Sequence, residues 1–304
     1  MTTTHTLTAP GVRLHYEVRG TGPLLLVMGA PMSAAAFAPL ADALAGDHTV
    51  VTHDPRGIGG SRLDDPGQDS TPELRADDVA ALLDALGAES ADVFGSSGGA
   101  VTGLALAARH PGRVRTLVAH EPPLLSLLPD AAERHAATED IIETFHKEGV
   151  GAAWAKFMAV STAPGALTGP PSEASDAPES PGSSDAPESP GSSDAPESPE
   201  SHEPSAQDLA DSAHFFAHEL RGTTRYVPDI PALTSGPGRV VVAIGATSGP
   251  LLTHHTSTAL AGLLGTPPAE FPGGHGGFME QPEQFAQALR EVLAGEGDGG
   301  PATG

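Results

Sequence analysis

The chain has 304 residues, enough for one large α/β domain or two small ones, and a formal net charge of -24 from 39 acidic and 15 basic residues. This excess of negative charge argues against binding to nucleic acid or to anionic membranes. The absence of cysteine excludes disulfides, thiolate catalysis and zinc–thiolate sites.

The N-terminal sequence MTTTHTLTAPG has neither a basic segment nor an apolar segment, so it does not look like a secretory signal. No part of the chain approaches the roughly 18 uninterrupted apolar residues that a membrane span needs. We therefore expect a soluble cytoplasmic protein that does not bind membranes.

Strand and helix signals alternate along the chain, which is typical of a mostly parallel sheet flanked by helices. Short apolar runs mark the strands, whereas apolar residues spaced three and four apart mark the helices. The predicted strands are 12–18, 23–28, 48–53, 91–94, 113–120, 239–244 and 269–271. The predicted helices beside them are 34–44, 72–86, 100–110, 257–264 and 282–293.

More than 100 residues separate the strand that ends at His120 from the strand that begins at Arg239. Three helical segments are predicted between them, near 131–148, 151–160 and 206–221. This stretch predicts a helical cap over 124–225. The core is then discontinuous and comprises 1–123 and 226–296.

An acidic repeat interrupts the predicted cap. The nonapeptide SDAPESPGS occupies 175–183 and 184–192, and SDAPESPES follows at 193–201. Ser, Asp, Pro, Glu and Gly cannot bury apolar surface, so we expect disorder over about 164–204. An expanded repeat tolerated in a surface loop is favoured over a partner-binding tract, because loop closure penalises long insertions little. A flexible tail is expected at 297–304.

The segment Gly95-Ser96-Ser97-Gly98-Gly99 lies between a predicted strand and a predicted helix. A serine flanked by glycines in this context is the pattern of a nucleophile elbow. The turn is so sharp that the serine adopts a strained conformation, and large neighbouring side chains would clash. Ser97 is therefore the predicted nucleophile.

The other parts of a serine active site can be assigned in the same way. His275 lies in a glycine-rich loop between the last predicted strand and the last helix, and it is the predicted base. His120, at a strand end, is interpreted as structural. The oxyanion donors are predicted to be the N–H groups of Gly98 and of Ala30, in the turn after strand 23–28. This chemistry requires neither a metal nor an organic cofactor.

Four motifs follow one another along the chain: Met28-Gly-Ala-Pro, Asp54-Pro-Arg-Gly-Ile-Gly-Gly-Ser61, the Ser97 elbow and Gly-His275-Gly. In this order they resemble the motifs of the α/β-hydrolase fold superfamily, many members of which have His at the position of Met28. The chain looks most similar to serine hydrolases of the esterase, thioesterase and cofactor-free haloperoxidase kind, of actinobacterial type. The resemblance implies an α/β fold, with a mostly parallel central sheet flanked by helices and a helical cap after the sixth strand.

The acid of the triad departs from the family pattern. Members usually carry it after the strand that follows the cap, but here no Asp or Glu lies between Asp229 and Glu270. Some relatives place the acid after the preceding strand, and there Glu121 is the predicted substitute. Three alternatives stay open: Glu121 only caps a turn, Asp229 is the acid, or His275 is oriented by Ser248 or a carbonyl.

Together these residues predict a serine hydrolase that cleaves a carboxylic ester or thioester of a small molecule through an acyl-enzyme on Ser97. Cofactor-free perhydrolysis, C–C bond hydrolysis and peptide hydrolysis would use the same residues. A non-catalytic binding protein of the same fold, or a scaffold that recruits partners, also stays open, because the usual acid is missing and the acidic repeat is present. The candidate walls of the acyl pocket are Trp154, Phe157, Met158, Phe215 and Phe216, for which packing inside the cap is the favoured interpretation.

Deletion of residues 175–201 is expected to leave the fold and the activity intact, because a Pro/Ser/Glu tract contributes no core. The melting temperature should change by less than about 2 °C, which corresponds to roughly 1 kcal/mol or less in a chain of this size. Thermal unfolding and ester hydrolysis of the deletion variant test this. A large loss of stability would show that the repeat packs against the fold.

Overall fold

The computed structural model describes residues 1–162 and 204–295. The repeats at 175–201 and the tail at 297–304 lie outside these residues, so the expectations for them stay predictions. None of the described helices is long and apolar enough to cross a membrane.

The described strands form a single sheet. They are β1 Thr2–Ala9, β2 Val12–Arg19, β3 Leu24–Met28, β4 Thr49–His53, β5 Arg62–Leu63, β6 Ala91–Ser96, β7 Val114–His120, β8 Arg239–Gly245 and β9 Ala269–Phe271. Their order is β1-β2-β4-β3-β6-β7-β8-β9, with β5 also paired to β2. The β1, β2 and β5 pairings are antiparallel, and every pairing from β4 to β9 is parallel. The predicted mostly parallel sheet is confirmed.

The helices are α1 Ala38–Leu44, α2 Pro72–Ala85, α3 Gly98–Arg109, α4 Ala131–Glu148, α5 Val150–Thr162, α6 Ala206–His214, α7 Leu220–Arg225, α8 Ile230–Ser235, α9 Leu252–Leu264, α10 Gly277–Glu280 and α11 Pro282–Ala294. Short 3-10 turns precede α1 and α4, at Ala34–Phe37 and Leu125–Leu127, and a π-helical stretch, Phe215–Glu219, joins α6 to α7. The predicted helix at 206–221 is thus a composite of three segments.

Helices cover both faces of the sheet, which explains why the central strands read as continuous apolar runs. Alternate residues of β3 point to opposite faces. Leu26 and Met28 belong to the core shared with α2, α3, α8 and α9. Leu25 and Val27 belong to the core shared with α1, α10 and α11.

Helices α4 to α7, which we call the cap helices, lie between β7 and β8 in the chain. The insertion follows the sixth strand, as the resemblance implied, when β1 is counted and the two-residue β5 is not. The cap helices bury an apolar cluster of their own, comprising Ile141, Ile142, Ala153, Phe215, Phe216 and Leu220. This separate cluster supports the division into core and cap, which we retain as a proposal.

The structure adds elements that the sequence patterns did not predict. β1 pairs with β2 over all eight of its residues, although its threonine-rich sequence is mostly exposed. β-Branched threonines favour an extended edge strand without providing the apolar alternation that marks a buried one. Helix α8 was also missed, and α9 begins five residues before the predicted start at 257, at Leu252.

A buried ion pair fixes the loop that follows β4. The Arg56 guanidinium donates from Nε and Nη2 to the two carboxylate oxygens of Asp78 on α2, at 2.7 Å each. Arg56 and Asp78 are only 2% and 3% exposed. The neighbouring residue of α2, Asp77, instead pairs with Arg109, and both side chains of that pair are more than 40% exposed.

Arg56→Met is expected to lower the free energy of unfolding by roughly 3–5 kcal/mol, because it leaves the Asp78 charge buried without its partner. Arg109→Met is the matched control and should cost at most about 1 kcal/mol, since water screens that pair. Urea unfolding of both variants provides the comparison. Equal losses would mean that burial does not decide the strength of the Arg56 pair.

Candidate active site

Ser97 occupies a strained turn between β6 and α3. Its backbone angles are φ 56° and ψ -123°, outside the regions that residues other than glycine ordinarily adopt. Within the described ranges, Glu121 is the one other non-glycine residue with positive φ. The Ser97 N–H donates to the carbonyl of His120 at 2.9 Å, which fixes the turn to the end of β7. The predicted elbow geometry is present.

The glycines beside Ser97 allow backbone segments to approach closely. A Cβ added to Gly95 would lie 2.5 Å from the Gly99 carbonyl oxygen, and a Cβ added to Gly99 would lie 2.4 Å from the Met28 carbonyl oxygen. Neither distance is compatible with a larger residue. The glycines therefore pack the start of α3 directly against the end of β3.

Glu121 lies immediately after β7 and is completely buried. Its Oε1 accepts a hydrogen bond from the Gly245 N–H at 2.9 Å, and its Oε2 accepts one from the Thr253 hydroxyl at 3.0 Å. The same Oε2 lies 2.6 Å from His275 Nδ1. Burial raises the pKa of Glu121, but the hydrogen bond with His275 and the neighbouring imidazoles outweigh it and lower that pKa to about 2. Glu121 is therefore a carboxylate at neutral pH.

The alternatives for the acid do not occupy this position. Asp229 is exposed, and its Oδ1 caps α8 by accepting from the Ala232 N–H at 3.0 Å. Ser248 is fully buried but makes no hydrogen bond with His275 among the described residues. Because the Glu121 carboxylate accepts from β8, α9 and the His275 loop, it also does more than cap its own turn.

His275 lies in the loop between β9 and α10, and its side chain is 35% exposed. Beneath it, the buried His120 ring stacks on the His275 ring with a centroid distance of 6.1 Å. His120 Nδ1 lies 3.1 Å from the Ser96 hydroxyl. Burial lowers the pKa of His120 to about 4, so this ring is neutral at physiological pH. Its position agrees with the structural interpretation.

Ser97 and His275 line one cavity of about 320 Å³. Ala30 and Gly98 line it on the core side, and the cap helices form much of the remaining wall. No hydrogen bond joins the Ser97 and His275 side chains in the described part of the chain. The cavity thus brings together the predicted nucleophile, base and oxyanion donors, while Glu121 lies behind His275.

Four of the five candidate wall residues line this cavity: Trp154, Phe157, Met158 and Phe215. The fifth, Phe216, is fully buried in the cap cluster. Trp154, Phe157 and Phe215 also pack within that cluster, so these aromatic rings are both cap core and cavity wall. Packing inside the cap, the interpretation that the sequence favoured, is therefore incomplete.

The Ala30 and Gly98 backbones lie against each other. A Cβ added to Gly98 would lie 2.6 Å from the Ala30 carbonyl oxygen. Gly98 is the first residue of α3, so its N–H has no partner within the helix. The positive end of a helix dipole at this point favours negative charge.

Asp54, for which the sequence suggested no role, supports this arrangement. Its two carboxylate oxygens accept hydrogen bonds from the Ala34 N–H and the Gly60 N–H, each at 2.7 Å. They tie the loop after β3, which contains Ala30, to the loop after β4. The sequence did contain an indication of this role, because Asp54 is the first residue of the motif that ends at Ser61.

Arg75 is a second supporting residue that no sequence pattern indicated. Its Nε donates to the Thr102 hydroxyl at 2.9 Å, and Thr102 donates to the Gly98 carbonyl at 3.1 Å. Its Nη2 donates to Thr223 of α7 at 2.8 Å, and Thr223 lines the cavity. Arg75 therefore links the nucleophile helix to the cap wall.

Comparison with known proteins agrees with this architecture. The family model described as alpha/beta hydrolase fold matches residues 22–282. The uncharacterized hydrolase YraK of Bacillus subtilis is 32% identical over 298 residues, which cover 96% of each chain. A thermophilic esterase from Thermogutta terrifontis superposes with a TM-score of 0.67 at 21% identity, covering 98% of this chain and 99% of the esterase. The enol-lactonase from Burkholderia xenovorans superposes with a TM-score of 0.59 at 17% identity, covering 95% of this chain and 100% of the lactonase.

The two superpositions show a shared fold, and the family match and the Bacillus relative extend over most of the chain. On this evidence the protein belongs to the α/β-hydrolase fold family and is a hydrolase.

Proposed function

We propose that the protein is a serine hydrolase that cleaves a carboxylic ester or thioester of a small apolar molecule through an acyl-enzyme on Ser97. The observation that carries the proposal is the Glu121 Oε2 to His275 Nδ1 contact of 2.6 Å beside the strained Ser97 turn. A buried carboxylate, a histidine and an elbow serine are the parts that acyl transfer by this mechanism requires.

The Glu121 contact determines which nitrogen of His275 is available. The Glu121 carboxylate accepts a hydrogen bond from Nδ1–H, so Nε2 carries the free lone pair. Nε2 takes the Ser97 hydroxyl proton while Ser97 Oγ attacks the substrate carbonyl carbon. The Glu121 carboxylate then stabilises the imidazolium that forms.

The tetrahedral oxyanion is held by the N–H groups of Ala30 and Gly98. When it collapses, the C–O or C–S bond breaks, and His275 gives its proton to the leaving alcohol or thiol. A water then loses a proton to His275 and attacks the acyl carbon. Breakdown of this second intermediate releases the acid and restores the proton on Ser97.

The cavity wall supports an apolar substrate. No Asp, Glu, Lys or Arg side chain lines the cavity within the described residues. Three of its hydroxyl groups donate within their own helices, from Thr138 to the Arg134 carbonyl, from Ser161 to the Phe157 carbonyl and from Thr224 to the Leu220 carbonyl. Those hydroxyl protons are not free to bind substrate. A volume of about 320 Å³ lies at the small end of ligand pockets.

The Glu121 position also bears on the binding-protein alternative. That alternative rested on the lack of an acid after the strand that follows the cap and on the acidic repeat. Since a buried carboxylate reaches His275 from the end of β7, the first of these two grounds no longer supports it. The hydrolytic function is therefore the one that the geometry supports best.

Ser97→Ala is expected to abolish hydrolysis of p-nitrophenyl esters and labelling by a fluorophosphonate. Loss of a triad serine typically lowers kcat by about 10⁶. Ser96→Ala is the matched control, because Ser96 is buried and its hydroxyl lies beside His120 rather than in the cavity. That variant should keep both activities. If the Ser96 variant were inactive and the Ser97 variant active, the assignment of the nucleophile would be wrong.

Glu121→Gln is expected to lower kcat by about a hundredfold or more with little change in KM, because a neutral amide does not stabilise the imidazolium. Asp229→Asn removes a carboxylate that is exposed and caps α8, so steady-state kinetics should show only a mild effect. An active Glu121 variant together with an inactive Asp229 variant would reverse the assignment of the acid.

A further inference from the structure

Thr253 belongs to two features of the molecule at once. It lies in the first turn of α9 and lines the cavity that contains Ser97. Its hydroxyl donates to Glu121 Oε2 at 3.0 Å. Glu121 does not itself line the cavity, so Thr253 lies between the cavity and the buried carboxylate.

The hydroxyl shares its acceptor with the histidine. Glu121 Oε2 accepts hydrogen bonds from the Thr253 hydroxyl at 3.0 Å and from His275 Nδ1 at 2.6 Å. Glu121 Oε1 accepts one from the Gly245 N–H at 2.9 Å. The backbone amide alone would leave the carboxylate able to turn about its terminal bond. A second donor on Oε2 limits that rotation and keeps this oxygen directed at the imidazole.

The hydroxyl has an electrostatic effect as well. The positive end of its O–H dipole points at the oxygen that stabilises the His275 imidazolium. It therefore reduces the negative charge available to that ring. Removal of the O–H should leave a more negative oxygen beside the imidazole.

We propose that Thr253 is a positioning residue for the reaction. Its hydroxyl holds Glu121 Oε2 against His275 and tempers the basicity of that histidine, while its methyl group forms part of the substrate wall. This inference rests on the proposed function, because it assumes that Glu121 and His275 act on Ser97.

Other titratable groups near His275 must be considered in a pH experiment. They are Glu121 and His120 at the end of β7 and Glu280 of α10 near Gly276. On α9, His254 and His255 follow Thr253 in the chain. Substitution of Thr253 leaves all of these side chains in place and, among them, removes a hydrogen bond only from Glu121. Burial keeps His120 neutral, because its pKa is lowered to about 4.

The test separates the two parts of the side chain. Thr253→Val keeps the shape and removes the hydroxyl. We expect kcat to fall about tenfold and KM to stay within about twofold. We also expect the acid-side midpoint of the kcat/KM against pH profile to move up by about half a unit.

Thr253→Ser keeps the hydroxyl and removes the methyl group. Its kcat and pH midpoint should match the wild type, whereas KM for an apolar ester should rise about threefold with the lost apolar contact. If Thr253→Val does not fold, Thr253→Ala carries the same expectation for kcat and the midpoint.

Thr256→Val is the matched control on the same helix. Thr256 is fully buried, and its hydroxyl lies 2.6 Å from the Pro122 carbonyl oxygen and 3.0 Å from the Thr253 carbonyl oxygen, so it tethers the same two segments without touching the carboxylate. Its pH midpoint should not move. An unchanged kcat and midpoint in Thr253→Val, or an equal shift in Thr256→Val, overturns the inference.

The wild type distinguishes this failure from failure of the proposed function. If wild-type protein neither hydrolyses p-nitrophenyl esters nor reacts with a fluorophosphonate, both proposals fail. If it does both through Ser97 and the Thr253 hydroxyl has no effect, only the inference about Thr253 fails.

Discussion

The structure depends on how one buried carboxylate is kept ionised. Glu121 is inaccessible to water, and such a charge is unfavourable in a protein interior unless hydrogen bonds replace its hydration. The donors come from separate segments: the Gly245 amide at the end of β8, the Thr253 hydroxyl in α9 and the His275 ring after β9. The sheet order β7-β8-β9 places these segments together.

Parallel pairing explains why the acid can stand at the end of β7 rather than β8. His120 of β7 pairs with Ala243 of β8, so the two strands end side by side at the same edge of the sheet. The Glu121 N–H then donates to the Ala243 carbonyl at 3.0 Å, which extends the pairing by one step. The positive φ of Glu121 is a departure from the conformation of a continuing strand. Because β7 and β8 end side by side, a carboxylate after β7 and a carboxylate after β8 can reach the same histidine.

Local patterns predicted the parts of this site that are encoded locally. Ser97 is marked by its flanking glycines, and His275 is marked by its loop between a strand and a helix. Glu121 could be predicted only by combining its position at a strand end with the lack of an acid after Arg239–Gly245. The Glu121–His275 contact itself joins residues 154 positions apart.

The contributions of Thr253 and Arg75 could not be predicted in the same way. Each is an ordinary helical residue whose importance arises from a partner distant in sequence, 132 positions away for Thr253 and Glu121 and 148 positions away for Arg75 and Thr223. The apolar pattern of the cap aromatic residues favoured packing inside the cap. Only the placement of the cap over Ser97 shows that Trp154, Phe157 and Phe215 also form the cavity wall.

A second buried carboxylate, that of Glu219, can be compared with Glu121 in the direction of its pKa shift. Glu219 of the π-helical stretch is also completely inaccessible and lies 3.8 Å from the Arg75 guanidinium. Among the described residues neither of its carboxylate oxygens accepts a hydrogen bond, and burial raises its pKa in spite of the nearby Arg75 charge. The pKa of Glu121 is instead lowered to about 2. The pKa values of the two glutamates thus shift in opposite directions, because the His275 hydrogen bond and the neighbouring imidazoles outweigh the burial of Glu121, whereas the Arg75 charge does not outweigh the burial of Glu219.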